Sequence, residues 1–288
     1  MSEDLSDIIA GEVQLLATGF QFTEGPLWHP HGYWHFVDTR PNLVFEMPPG
    51  GQPEVFRADS GRTNGLTFDL QGRLLMCEGY GRRVSRMESD GSVATLVGTF
   101  GGKRLNRPND IVCHSSGAIY FTDPQGLVAE EDRELGSSAV FCVSPDGHVA
   151  PVVLDVTYPN GLAFSPDERT FYLVDFPNMI LAYDMDAQGS LSNKRLFIDM
   201  TDAPGDGHPD GIKVDTDGRV YSTGPGGLWV MDADGTHLGT LRMPESTNNC
   251  GFGGESYDTM LIAGKTSVYG VQLKTTGVTP PGARAHVR

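Results

Sequence analysis

The residues that could do chemistry come as a series. Glu24, Asn64, Asn109, Asn160 and Asp210 each stand just ahead of a short apolar run. The runs are Phe22-Thr23-Glu24-Gly25-Pro26-Leu27-Trp28, Arg62-Thr63-Asn64-Gly65-Leu66-Thr67-Phe68, Arg107-Pro108-Asn109-Asp110-Ile111-Val112, Tyr158-Pro159-Asn160-Gly161-Leu162-Ala163-Phe164 and His208-Pro209-Asp210-Gly211-Ile212-Lys213-Val214. Asn249, in Asn249-Cys250-Gly251-Phe252, is a weaker sixth member. Carboxylate and amide oxygens are hard ligands, and a ring of them suits a hard cation such as calcium or magnesium. Such an ion polarises a carbonyl or lowers the pKa of bound water. The competing reading is a turn, because Asn-Gly and Asp-Gly are common turn dipeptides. Glu24 is a poor turn residue in the same repeat position, and Asn109 precedes Asp110 rather than glycine. The set therefore says more than any one member.

These heads must be positioned by something that repeats. Each is followed by an apolar strand, a turn, and a second strand ending in a small or acidic residue. Glu24 to Asp38, Asn64 to Glu78, Asn109 to Asp123 and Asp210 to Gly224 each span 14 positions, and Asn160 to Asp175 spans 15. A third and a fourth strand complete each unit. The heads step by 40, 45, 51, 50 and 39 residues. Four short strands recurring at that period predict an all-β, six-bladed β-propeller. The first strand of each blade lines the central channel, so the heads converge there and would hold a metal ion in it. The last unit lacks a fourth strand. The segment near Val13 to Ala17 can supply it, closing the ring and removing an open edge. The expected organisation is a loose lead-in over 1–12, one propeller over 13–277 and a loose tail over 278–288. The insertion Gln125 to Ser138, with Glu130, Glu131, Asp132 and Glu134, is expected on the face of the heads, as a solvated loop or as a rim over the site.

The totals narrow the class. The chain has 288 residues, 39 % of them hydrophobic, with 37 glycines and 19 prolines spread along it, as a turn-rich strand protein would. Its net charge of −16 repels phosphate backbones, so nucleic acid is excluded as a partner and a small molecule is expected. The four cysteines form no CxxC pair, which argues against a thiolate zinc site. The first residues lack a basic segment followed by an apolar one, and no run reaches the length of a membrane span, so a reduced, cytoplasmic protein is expected. No Gly-x-Ser-x-Gly elbow or Ser/His/Asp order is present. Gly224-Pro225-Gly226-Gly227 lacks the strand–helix context of a phosphate cradle. The acids Asp38, Glu78, Asp123 and Asp175 read as strand-end turn residues or neighbour contacts. His29, His31, His35 and His208 show no repeating ligand spacing, although His208 adjoins a head and could touch substrate. Oligomeric state is not readable.

Taken together, Phe22 to Trp28, Gly101 to Asp110, Tyr158 to Phe164, Pro209 to Val214 and Asn249 to Gly254 resemble the SMP-30/gluconolactonase/LRE family. The resemblance runs from about Glu24 to about Gly277. It implies a six-bladed propeller with one divalent cation in its channel and hydrolysis of sugar lactones. It also implies metal ligation by Glu24, Asn160 and Asp210, with Asn109 as a further ligand or substrate contact and Arg107 as a substrate contact. Asn64 and His208 complete the expected substrate-binding set. Oxygen ligands favour calcium, with zinc, magnesium and manganese as alternatives. In this reading Asp210 accepts a proton from water as the lactone ring opens. A metal-dependent ester or phosphotriester hydrolase, or a non-catalytic ligand-binding propeller, are the alternatives.

Overall fold

The computed structural model describes residues 4–126 and 128–286. Six four-stranded antiparallel sheets form the blades, and a two-stranded hairpin, Thr99–Phe100 with Lys103–Arg104, joins blade 2 to blade 3. The innermost strands of blades 1 to 6 are Thr23–His29, Thr63–Phe68, Ile111–Cys113, Pro159–Phe164, Ile212–Val214 and Thr247–Gly253. The protein is thus the six-bladed propeller that the repeat predicts.

The second strands read as unbroken apolar runs because both of their faces are covered by neighbouring blades. Leu74–Glu78 and Ile119–Asp123 are buried along their whole length. Blades 2 and 3 share a core in which Leu75, Cys77 and Val84 pack with Ile111, Phe121 and Phe141. The outermost strands, such as Glu54–Arg57, face solvent.

The ring closes inside blade 6. Gln14–Thr18 pairs antiparallel with Ser267–Gln272, setting Gln14 opposite Gly270 and Thr18 opposite Ser267. The ends of the chain, expected to be loose, are docked because they carry apolar side chains. Leu5 and Ile8 lie buried in the core between blades 5 and 6. Beyond residue 277, Val278 donates its N–H to Val214 O at 3.0 Å, and Ala283 is buried in the core between blades 1 and 2. Residues Val278 to Pro281 lie against the end of the channel opposite the heads. Met1, Ser2, Glu3, Leu127, Val287 and Arg288 of the expected lead-in, insertion and tail lie outside the described residues. Among the described residues no helix is long and apolar enough to cross a membrane.

Candidate metal and substrate site

Each head is aimed by an irregularity in its own strand. The pairing register shifts between Glu24 and Leu27, between Thr63 and Leu66, and between Pro159 and Leu162. A bulge leaves extra backbone unpaired and re-aims a side chain. In blades 3 and 5 the inner strand begins only after the head. There Asn109 donates its N–H to Thr122 O at 2.9 Å, and Asp210 donates its N–H to Thr223 Oγ1 at 3.0 Å.

The residue after each head faces the next blade. A Cβ on Gly161 would stand 2.1 Å from Asp210 O, and one on Gly211 would stand 2.1 Å from Asn249 Oδ1. Neither glycine adopts a positive φ. Close approach of backbone, rather than turn geometry, therefore requires glycine there. The contacts also carry hydrogen bonds, Gly65 N–H to Asn109 O at 2.7 Å and Gly161 N–H to Asp210 O at 3.0 Å. Asp110 takes the glycine position in blade 3 and is buried, with one carboxylate oxygen unpartnered.

Glu24, Asn64, Asn109, Asn160, Asp210 and Arg107 line one cavity of about 280 Å³, walled also by Phe22, Tyr158 and Phe176. Glu24 is 1 % exposed and Asn160 5 %. Asn249 does not join the lining: it donates from Nδ2 to Glu24 Oε2 at 2.9 Å, while its own Oδ1 accepts Cys250 N–H at 2.8 Å. Burial, above all, raises the Glu24 carboxyl from the usual range, with the Asp110 charge adding to it. Burial and the charges of Glu24 and Asp110 hold Asp210 well above its ordinary value, against a hydrogen bond from Asn160. Lys213 opposes these shifts at Glu24 and Asp110.

Crowded carboxylates of this kind suit a cation, which reverses the local pKa logic. Asn160 Oδ1 and Asn64 Oδ1 are buried with no hydrogen-bond partner. A buried oxygen without a partner costs about 1–3 kcal/mol, so an aimed, unpartnered amide oxygen beside two carboxylates fits a metal ligand. Among the described residues no group of three or more His, Cys, Asp or Glu is arranged to hold a metal. The candidate set is different in kind: two carboxylates with amide oxygens.

Sequence reasoning read the acids at the second-strand ends as turn residues or contacts to blade neighbours. Three of them instead clamp the approach to a head. Asp38 accepts the N–H groups of Gln21 and Phe22 at 2.8 and 2.9 Å. Asp123 accepts those of Asn106 and Arg107 at 2.8 and 2.7 Å. Asp175 accepts those of Thr157 and Tyr158 at 3.0 and 2.8 Å. In every case the donors lie three and two positions before the head. Glu78 departs from the pattern, meeting Arg57, Arg83 and Ser85 side chains.

His208 does not line the cavity. It is exposed, with its ring edge-on to Phe176 at 5.0 Å. The described part of the 125–138 insertion lies beside the site, where Glu134 pairs with Arg104 and Gly126 abuts the Tyr158 ring, but it contributes nothing to the cavity lining. A larger concavity of about 640 Å³ lies at the outer seam of blades 1 and 6, against Trp28, Trp34 and Leu15. No head reaches it.

Comparison with known proteins agrees with the fold. The chain is 28 % identical to a gluconolactonase of Zymomonas mobilis, over 93 % of this chain and 83 % of that one. It is 27 % identical to a pentonolactonase of Haloferax volcanii, over 86 % of this chain and 83 % of that one. The solved structure of a gluconolactonase from Xanthomonas campestris superposes with a TM-score of 0.86 at 33 % identity, covering 93 % of this chain and 92 % of that one. The model of the SMP-30/gluconolactonase/LRE-like region matches residues 22–266, which include every head, and the chain belongs to that family.

Proposed function

We propose that this protein is a divalent-metal-dependent lactonase that opens a sugar or related lactone to its hydroxy acid. The observation that carries the reading is the unpartnered Asn160 Oδ1, buried in one cavity with Glu24 and Asp210. The names of its relatives, gluconolactonase and pentonolactonase, support the lactone as substrate class. Glu24, Asn160, Asp210 and Asn109 would hold the cation, and their oxygens favour calcium over zinc, magnesium or manganese. When bound, the ion acts as a Lewis acid toward a carbonyl oxygen and acidifies water.

The chain's own groups do the rest. Asn249 holds the Glu24 carboxylate in place. Asp210, which shares the cavity with Glu24 and Asn160, accepts the proton of the attacking water. Asn109 orients ring oxygens and stabilises the developing oxyanion, and Arg107 contacts the polar groups of the substrate. Asn64 faces the same cavity and contacts the sugar hydroxyls. Tyr158 and Phe176 wall the cavity and exclude solvent. A cytoplasmic location agrees with four free cysteines.

The test is lactone hydrolysis, on glucono-δ-lactone and a pentonolactone, before and after EDTA. Activity should vanish with the chelator and return with one divalent ion. Asp210→Ala should lose both metal binding and turnover. Full activity after complete metal removal, or in Asp210→Ala, would sink the assignment.

A further inference from the structure

The cavity has a positively charged end. Arg62 and Arg107 both line it. Both lie over the ring of Tyr80, their guanidinium carbons 4.0 and 4.9 Å from its centroid. Among the described residues neither forms an ion pair, whereas Arg57, Arg73, Arg83, Arg86, Arg104, Arg195 and Arg219 all do. That is unexpected in a chain of net charge −16. Arg107 is partly buried, and burial together with the Arg62 charge works against its protonated form. Bringing two like charges together out of water costs free energy, which the Tyr80 ring offsets in part and no ion pair among the described residues does.

The backbone is bent to keep them there. Arg62 has φ of 51°, in the left-handed region that non-glycine residues seldom occupy. It is held so by Asn42, whose side-chain oxygen accepts the Arg62 N–H, and by Gly79, which donates its N–H to Arg62 O at 3.2 Å. Strain of this kind persists only where the surroundings impose it, and it clusters at ligand clamps. Gly79 matters a second time. A Cβ there would stand 3.1 Å from both Cγ and Nε of Arg107, so a side chain would press on the guanidinium stem. A strained residue, a missing side chain and an aromatic shelf thus all serve two cations that no ion pair holds.

We infer that Arg62 and Arg107 form a subsite for an oxyanion, so that the preferred substrate is an acidic lactone carrying a carboxylate or phosphate away from the reacting carbonyl. The guanidinium fork matches either group with paired hydrogen bonds. Stacking on Tyr80 fixes the planes of the forks. In the field of a strongly acidic protein, a local positive pair is also what admits an anion. The reaction class in this inference rests on the lactonase reading, and the charge class rests on the arginine pair alone.

Calorimetric binding to the metal-loaded protein separates the two. D-glucarate and 6-phospho-D-gluconate should bind about tenfold or more tighter than D-gluconate, since a hydrogen-bonded charge is lost in the last. The tighter of the two identifies the anion as carboxylate or phosphate. Arg62→Gln should bring the ratio close to one, and Arg62→Lys, which keeps the charge and guards against a folding defect, should restore part of it. Equal binding of all three by the wild type, or a preference that survives in Arg62→Gln, overturns the subsite. In parallel, the ratio of kcat/KM for glucaro-1,4-lactone over glucono-δ-lactone should exceed one and fall in Arg62→Gln. Arg62-dependent glucarate binding with no lactone turned over would remove the lactonase reading and leave the subsite standing. Turnover without charge preference would do the reverse.

Discussion

Asp175 offers the sharpest test of how a head is aimed. Its carboxylate is 5 % exposed and accepts the N–H groups of Thr157 and Tyr158 at 3.0 and 2.8 Å, directly before Asn160. A hydrogen bond to a charged group contributes about 1.5–3 kcal/mol. Thr157 is itself exposed, so water can replace the acid there, whereas the Tyr158 N–H is half-buried. Asp175→Ala should therefore cost about 3 kcal/mol, and Asp175→Asn, which keeps an acceptor oxygen, about half of that. Asp184→Ala is the control: that acid is exposed and bonds only the exposed Arg195 and Asn193, so the urea midpoint should stay close to that of the wild type. Urea denaturation measures the stabilities, and calcium titration measures the site. If the clamp aims Asn160, calcium affinity should fall about tenfold in Asp175→Ala and much less in Asp175→Asn, the loss corresponding to about 1.4 kcal/mol. A stability within 0.5 kcal/mol of wild type would refute the burial argument. A destabilised protein with unchanged calcium affinity would refute the aiming argument and leave only a structural bond.

Two other outcomes are expected. Gly161→Ala would force a methyl group to within 2.1 Å of Asp210 O, so thermal denaturation should show a loss of several kcal/mol, and metal binding should fail even in folded material. His35 is 1 % exposed, and burial lowers its pKa to about 4. The unfolded chain, titrating near 6.5, then binds the proton more readily than the fold. The stability is present in full above about pH 6.5 and is lost progressively toward pH 4, by at most about 3 kcal/mol at 1.36 kcal/mol per unit. Urea midpoints between pH 7 and 4 should drop in the wild type and flatten in His35→Gln; identical slopes would refute the assignment to His35.

Much of the ring was legible because the repeat is written in side chains. The distance from Glu24 to Asp38 recurs from Asn109 to Asp123, and six such units leave few other folds. The heads were legible for the same reason: Glu24 breaks a turn pattern that Asn160 alone would satisfy. The clamps were not, because the partners of Asp123 and Asp175 are backbone N–H groups, which have no sequence signature. Gly161 and Gly211 looked like turn glycines, since nothing local reveals that Asp210 O and Asn249 Oδ1 of the next blade lie 2.1 Å from the absent Cβ atoms. Arg62 stands two positions before Asn64 in the same motif, but its meaning depends on Tyr80 and Arg107, which only the fold brings to it. The ends were misjudged as loose because the surfaces that cover Leu5 and Ala283 belong to distant blades.

The seam in blade 6 has a consequence for biosynthesis. Gln14–Thr18 is among the first strands made, yet its partner, Ser267–Gln272, is among the last. The link that steadies Glu24 spans the same gap, since Asn249 is 225 positions away. A chain still emerging from the ribosome can assemble blades 1 to 5, but its Glu24 carboxylate lacks the Asn249 hydrogen bond until blade 6 arrives. Pairing over such separations is slow. If the proposed ion is bound there, its capture is coupled to synthesis of blade 6, and a nascent or truncated chain that stops before residue 249 should neither sequester calcium nor turn over substrate.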